Sequence, residues 1–303
     1  MEIHIAQLLY DTIDSSLKST LVSGTTKVMA GLGGLFGTFW LLSFTMRSIQ
    51  WLYIGMTAIF KDVVFEMLKV AFIAGMAFNV TWFVDTIVPF VTNMPVWMGG
   101  ILSGQDGSQT TQVDSMIKSF IDNLENLLGA MDFKWYDVKS IYQAGQALFF
   151  YTVGGAIFIL IAVLTLMVLK VATTIMLALG PIFIAFALFD QTRQWFLGWV
   201  SLISGFMLTQ VLFSVVLALE LGFINTVMIK NGVMDTSTVG NFSMLIYFLC
   251  FAFIAAELPN YAATVMGGTA TGGVRLSSVL SKAAGLKASM RMSSLMRNKI
   301  GGA

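Results

Sequence analysis

The stretch from Ser140 to Leu169 reads SIYQAGQALFFYTVGGAIFILIAVLTLMVL and contains no charged residue. An α-helix needs roughly 20 predominantly apolar residues to cross the hydrocarbon core of a bilayer, so this stretch is long enough for a complete transmembrane helix. The whole chain of 303 residues is 57% hydrophobic and only 11% charged, whereas soluble domains carry about 25% charged residues. These features predict an all-α, polytopic transmembrane protein whose solvent is largely lipid.

Four further apolar runs predict the other membrane-crossing helices; three are uncharged, and the second contains Asp85 near its far end. The four runs are Val28–Met46, Val70 to about Val91, Gln194–Leu219 and Thr236–Ala256. Pro89 and Pro95 are expected to end the second of these spans, because proline lacks a backbone donor and clashes with the preceding turn.

The stretch from Val171 to Phe189 decides whether the chain crosses the membrane five or six times. It is also uncharged, but its middle contains Gly180 and Pro181 in the sequence LALGPIF. Broken helices are tolerated at membrane depth where protein or a water-filled cavity surrounds them. This favours about five spans with one broken or re-entrant element. Six spans, with a kinked but complete crossing here, is the alternative.

Basic residues predict the orientation of the chain. The segment after Glu257 contains no acidic residue, and its basic residues are Arg275, Lys282, Lys287, Arg291, Arg297 and Lys299. Short segments rich in Lys and Arg stay in the cytoplasm, so the C-terminal tail is predicted to be cytoplasmic. Five spans then place the N-terminus outside and Arg47 and Arg193 inside, whereas six spans place Arg47 outside and Arg193 inside. The total of basic residues on each side does not decide between the two counts.

Two charged segments show helical spacing of their apolar residues and are too polar to cross lipid. One is the N-terminal helix, which is expected on a membrane surface or against a partner. In the other, the apolar face consists of Val113, Met116, Ile117, Phe120, Ile121, Leu124, Leu127, Leu128 and Met131, and the polar face of Asp114, Lys118, Asp122 and Glu125. Packing of this helix on the same chain is the favoured interpretation.

These patterns divide the chain into five parts. They are an N-terminal amphipathic helix (1–27), the first two spans (28–93), an extracytoplasmic loop with an amphipathic helix (94–141), a transmembrane region with the Gly-Pro broken element (142–258) and a basic cytoplasmic tail (259–303).

The sequence offers almost nothing for enzyme chemistry. His4 and Cys250 are the only residues of their types, too few for a structural zinc site or for a triad of the Ser-His-Asp or Cys-His kind. A phosphate-binding GxxxxGK[ST] loop does not occur in the sequence. We therefore predict that the protein is not an enzyme and has no catalytic residues, no cofactor and no metal site.

The segment LALGPIFIAFALFDQTRQWFLGWVSLISG, from Leu177 to Gly205, carries a family resemblance. It combines a Leu-Gly-Pro turn, an aromatic-rich apolar run, a Phe followed shortly by Thr-Arg, and a Trp soon after. In this it resembles the TrbL-type family, the polytopic inner-membrane subunits of bacterial type IV secretion systems. The matching residues, called the motif from here on, are Gly180, Pro181, Phe183, Phe189, Thr192, Arg193, Phe196 and Trp199. Family members often have a proline before the Thr-Arg pair, where this chain has Asp190 and Gln191.

The resemblance implies a channel or assembly-platform subunit in the bacterial inner membrane, supporting pilus biogenesis and the translocation of DNA or protein substrates. It also implies a homo-oligomer, with a ring as the expected form. The implied partners are the minor pilin, other inner-membrane secretion subunits, the secretion ATPases and membrane lipids, and nucleic acid enters only as a transported substrate. The motif itself is then expected to shape the translocation path or to dock the ATPases.

The residues also allow simpler interpretations. Arg193 and Trp199 suit anchoring at the membrane interface, and Gly33 and Gly37 form a GxxxG pair that permits close helix packing within or between subunits. Glu220 and Glu257 border the last two spans and are expected at headgroup level. A stand-alone secondary transporter is the rival function, but it would be expected to show matched broken helices, and the sequence shows one break.

Overall fold

The computed structural model describes residues 5–51, 56–104, 109–129, 138–224, 229–230, 233–234 and 237–267. The helices are α1 (Ile5–Trp51), α2 (Met56–Phe78), α3 (Val80–Trp82), a π-helix (Phe83–Ile87), α4 (Val88–Ser103), α5 (Gln109–Gly129), α6 (Val138–Ala178), α7 (Gly180–Phe186), α8 (Arg193–Phe223) and α9 (Thr238–Val265). The strands β1 (Ile229–Lys230) and β2 (Val233–Met234) form a small antiparallel hairpin. The basic tail from residue 268 onward lies outside the described residues.

The predicted all-α polytopic architecture is confirmed. Four helices are long and apolar enough to cross a membrane, namely parts or all of α1, α6, α8 and α9, and a bent pair formed by α2 with Val80–Ser103 raises the number to as many as five. Among the residues that the structure describes there is no sixth candidate. Lys170 does not interrupt α6, which continues as one helix of 41 residues to Ala178.

The second span contains a break that the sequence did not indicate. Asn79 is extended, and its side chain accepts a hydrogen bond from the Trp82 backbone N–H at 3.1 Å, which caps a new helix. The axis bends by 70° between Phe60–Phe78 and Val80–Ser103. The π-helix follows directly, a feature that proteins often place at functional sites.

The expectation that Pro89 and Pro95 end this span is wrong. Pro89 lies in the first turn of α4, directly after the π-helix, and the chain stays helical through it. Pro95 lies inside α4 and is buried, and the helix nevertheless continues to Ser103. Packing compensates for the lost bond, because α4 lies against α8 so closely that a Cβ added at Gly99 would be 2.6 Å from Ser214 Oγ.

The amphipathic helix α5 packs on its own chain. Of its predicted apolar face, Val113, Met116 and Ile117 are buried, Phe120, Ile121 and Leu124 are partly buried against the same core, and Leu128 is exposed. Lys118, Asp122 and Glu125 are exposed as expected, but Asp114 is buried. Nothing is described for the Leu127 and Met131 side chains. The helix thus covers α6 and α8 with most of its apolar face.

Buried apolar side chains form two separate clusters. The first, which we call the α9 cluster, joins α5, α6, α8 and α9 and contains Tyr151, Phe158, Phe213, Leu217 and Phe248. The second, which we call the α7 cluster, joins α1, α2, the π-helix, α4, α7 and the end of α6 to the start of α8, and contains Phe36, Phe83, Leu177, Ile184 and Trp199. The aromatic residues of the motif, Phe183, Phe189, Phe196 and Trp199, belong to the α7 cluster.

Glu220 departs from its expected place at headgroup level. It is 1% exposed, between Leu217 and Leu221 of the α9 cluster, and neither carboxyl oxygen has a hydrogen-bond partner among the described residues. Glu257 is half-buried and accepts a hydrogen bond from Asn260 Nδ2 at 2.6 Å. The difference arises because α5 packs back onto α8 and removes water from the end of that span.

Candidate functional site: the helix break at Gly180

The predicted break in the chain is present, and it is a short turn between α6 and α7. The Leu179 N–H still donates to the Ile175 carbonyl at 3.2 Å, so α6 closes its last turn normally. Pro181 has no N–H to continue the helix, and the Ile182 N–H bonds instead to the Leu179 carbonyl at 3.1 Å. The tighter bond starts α7, a separate helix of seven residues.

Side chains from distant parts of the chain donate hydrogen bonds to the backbone carbonyls at the end of α6. The last four carbonyls of a helix lack partners within it, and leaving them unpaired in a buried position is costly. Trp199 Nε1 donates to the Met176 carbonyl at 2.9 Å. Thr25 Oγ1, which is fully buried on α1, donates to the Ala178 carbonyl at 3.5 Å. Trp199 therefore supports the break from within the protein, where interface anchoring was the simpler expectation.

Gly180 is the point at which the two breaks in the fold meet. A Cβ added there would lie 2.7 Å from Phe83 Cζ, in the π-helix, and 3.0 Å from Trp199 Cζ2. Real Cβ atoms essentially never approach another atom as closely as the first distance. The packing of the π-helix against α7 thus requires glycine at this position.

Aromatic rings surround the break and bring the motif together. Trp199 stacks on Phe183 with ring centroids 6.2 Å apart and on Phe196 at 6.3 Å. Phe189 stacks at 6.0 Å on Phe36 of α1, a residue that sequence reasoning did not select. The motif residues Gly180, Pro181, Phe183, Phe189, Phe196 and Trp199 therefore share one packed region with α1.

Thr192 and Arg193 end the turn that connects α7 to α8. Thr192 Oγ1 donates to the Phe186 carbonyl at 2.8 Å, which satisfies the C-terminus of α7. The Arg193 N–H donates to the Phe189 carbonyl at 3.0 Å. The Arg193 side chain is exposed at the start of α8, a position compatible with the predicted contact to lipid headgroups.

Charged side chains link this turn to α1 and α2. Arg47 Nη2 donates to Asp190 Oδ2 at 2.9 Å, and Arg47 Nη1 donates to Glu66 Oε2 at 3.0 Å. Lys69 Nζ lies 3.8 Å from Asp190 Oδ1. We call these four residues the ion-pair network.

The ion-pair network decides between five and six spans. Six crossings would put Arg47 and Arg193 on opposite sides of the membrane. Asp190 is close to Arg193 in sequence, and its carboxylate touches Arg47, so both must lie on the same side. Only the five-span arrangement meets that requirement.

The predicted glycine pair Gly33 and Gly37 divides between two environments. A Cβ added at Gly33 would contact Phe78 of α2 at 3.8 Å, so this residue faces the same chain. A Cβ added at Gly37 would meet no atom within 4 Å, and Gly34 is equally open. The surface of α1 around Gly34 and Gly37 is therefore free on this protomer.

Protein side chains fill the break between α6 and α7, and we call this closely packed contact between the helices the joint. In transporters, broken helices direct free carbonyls and helix ends at an ion or substrate. Here the Met176 and Ala178 carbonyls accept hydrogen bonds from Trp199 and Thr25. Within the described residues, no group of three or more His, Cys, Asp or Glu side chains is placed to hold a metal ion. The arrangement is suited to fixing the positions of α1, α2 and α8 relative to one another.

The family model described as "TrbL/VirB6 plasmid conjugal transfer protein" matches residues 40–246, which contain the whole motif and both helix breaks. Comparison with curated proteins gives no match.

Proposed function

This chain belongs to the TrbL/VirB6 plasmid conjugal transfer family, and we propose that it is an inner-membrane platform subunit for pilus assembly and substrate translocation. Family membership makes it a component of type IV secretion in conjugal transfer that interacts with other components of that system. Its long apolar helices make it a multi-pass membrane protein. The family is one of structural secretion subunits and not a known enzyme family.

The platform role rests on the packed joint at Gly180. A carrier must change shape around its substrate, whereas a platform must hold its surfaces in fixed positions. In this chain, the hydrogen bond from Trp199 to Met176 and the stacked rings of Phe183 and Trp199 fill the break with protein. The partners that would use the platform are the minor pilin, neighbouring inner-membrane subunits and the secretion ATPases.

Deletion and complementation test this proposal directly. Removing the gene from a conjugative donor should abolish both plasmid transfer and pili, and the full chain supplied in trans should restore both. Normal pili with no transfer would restrict the role to substrate passage. Normal transfer after deletion would disprove the proposal.

A transporter is the second candidate, because the break at Asn79 gives the fold a second broken span that meets the first. Matched breaks are typical of secondary transporters. The two breaks meet through Phe83 and Gly180, however, which are apolar and closely packed. Purified protein in liposomes that accumulates a solute against its gradient would favour the transporter over the platform.

The orientation proposed for the chain has the N-terminus and α5 outside and the ion-pair network on the cytoplasmic side. We expect Lys118→Cys, on the exposed face of α5, to react with a membrane-impermeant maleimide in intact spheroplasts. Gln191→Cys, in the turn before α8, should react only in inverted vesicles. Both variants are made in a Cys250→Ser background, because Cys250 is exposed on this protomer. The opposite labelling pattern would reverse the orientation.

We further propose that the protein forms a homo-oligomer through the glycine surface of α1. Small residues let helix backbones approach closely in lipid, and an added Cβ at Gly34 or Gly37 meets only open space in one protomer. In native membranes, crosslinking should give a ladder of homo-oligomers, and Gly34→Leu with Gly37→Leu should remove most of it. Gly75→Leu, at an equally open glycine of α2, serves as the control. A ladder that survives the double substitution would place the interface elsewhere.

A further inference from the structure

We infer that Asp190 is a positioning residue, which with Arg47 fixes the turn between α7 and α8 (187–192) onto α1 and α2. The inference rests on the proposed function, because the position of this turn matters only if the cytoplasmic face serves as a platform. It adds two residues outside the motif to the machinery that the motif builds.

The first support is the geometry of Arg47. Its two terminal nitrogens bond to carboxylates on different elements, Asp190 at 2.9 Å in the turn and Glu66 at 3.0 Å in α2. A guanidinium holds such a fork rigidly, whereas a lysine ammonium is a single flexible point charge. Arg47 near the end of α1 therefore connects three parts of the chain through one side chain.

The second support is the alternation of charge. Asp190 lies between Arg47 and Lys69, which is 3.8 Å from its other oxygen. Isolated exposed ion pairs contribute little to stability, while networks with good geometry contribute more. Glu66 and Lys69 are largely shielded from solvent, and Asp190 is the most exposed member of the network. Loss of Asp190 would leave Lys69 without this partner and Arg47 with one carboxylate in place of two.

The third support is what the rest of the turn does. Its ends are fixed locally, by Thr192 on the Phe186 carbonyl and by the Arg193 N–H on the Phe189 carbonyl. Phe189 packs on Phe36 of α1. Among the described residues, the charged contacts that tie this turn to neighbouring helices are those of Asp190, with Arg47 of α1 and with Lys69 of α2. The carboxylate thus sets where the tip of the turn lies.

The experiment measures the turn and its function separately. The reporter is Leu188→Cys in the Cys250→Ser chain, because Leu188 is the buried position of the turn and a cysteine there reacts only when the turn moves away. It is labelled with maleimide in inverted vesicles, and the network variants without the reporter are tested for plasmid transfer. Asp190→Asn and Arg47→Ala each disrupt two contacts of the network. Each should raise the labelling rate by up to about fivefold, the upper end for exposed ion pairs, and should lower transfer. Asp190→Glu should restore both readouts, whereas Arg47→Lys should not, because lysine cannot bridge two carboxylates.

Asp62→Asn is the matched control. Asp62 is an exposed acid on the same α2, and no ion pair involves it within the described ranges. It should leave labelling and transfer unchanged. Equal effects of Asp62→Asn and Asp190→Asn would overturn the inference, because general charge would then explain both. Unchanged labelling in Asp190→Asn would overturn it as well, and so would raised labelling with full transfer. If deletion of the whole protein leaves transfer intact, the proposed function fails and the positioning role falls with it, while the labelling still reports whether the ion pairs hold the turn.

Discussion

Replacing Gly180 with alanine should destabilise the protein and sharply reduce plasmid transfer. The new methyl group would lie 2.7 Å from Phe83 Cζ and 3.0 Å from Trp199 Cζ2. Both rings belong to the closely packed α7 cluster, so neither can move freely. Overpacking of this kind costs about 1–3 kcal/mol, and Gly180→Val should cost more. Thermal unfolding in mild detergent and transfer frequency in a complemented deletion strain measure the two effects.

Gly198→Ala is the control for this substitution. Gly198 is exposed in α8, and an added Cβ there meets nothing within 4 Å. Because alanine favours helix over glycine by about 1 kcal/mol, this variant should be as stable as the parent or slightly more so. If Gly180→Ala and Gly198→Ala give the same unfolding temperature and the same frequency of plasmid transfer, the fold does not depend on the close approach of Phe83 to Gly180.

Substitution of Trp199 should have the largest effect of any single side chain in the joint. Trp199→Ala removes a buried indole that stacks on Phe183 and Phe196, a change that typically costs about 3–5 kcal/mol. Trp199→Phe keeps a ring but loses the hydrogen bond to the Met176 carbonyl at 2.9 Å. An unpaired buried carbonyl costs about 1–3 kcal/mol, so this variant should be intermediate.

Trp195→Phe separates this role from interface anchoring. Trp195 is 57% exposed, and its loss should change stability by no more than about 0.5 kcal/mol. If anchoring were the main role of the tryptophans, Trp195→Phe and Trp199→Phe would have similar effects on unfolding temperature. Similar unfolding temperatures for the two variants would show that the hydrogen bond from Trp199 to the Met176 carbonyl does not stabilise the break.

Local signals in the sequence predicted the spans and one of the two breaks. Charge-free runs identify membrane helices because an unpaired charge in lipid is expensive, and Gly180-Pro181 identifies a break because proline cannot continue a helix. The break at Asn79 has neither glycine nor proline, and it is defined by an asparagine cap that only the folded chain reveals. The prediction that Pro95 ends the second span was wrong for the opposite reason. Proline alone would favour the end of a helix, but packing of α4 on α8 maintains it.

The parts of the site contributed by distant residues could not be predicted. Thr25 reaches the Ala178 carbonyl across 153 positions of sequence, and Arg47 reaches Asp190 across 143. Neither pair has a motif or a spacing that marks it. Glu220 is a related case, because its burial depends on α5, a separate helix that folds back onto α8.

The length of α6 raises the question of hydrophobic mismatch. Its apolar part, Ile141–Ala178, contains 38 residues and is therefore about 57 Å long, nearly twice the roughly 30 Å of a bilayer core. Even a tilt of about 40°, the upper end of what membrane helices adopt, leaves this helix too long. Near its first residues, Tyr142 is 66% and Phe149 61% exposed, so α5 and α9 leave part of this end uncovered. Part of α6 must then extend beyond the hydrocarbon core, and a neighbouring subunit that covered the exposed rings at this end would remove them from water.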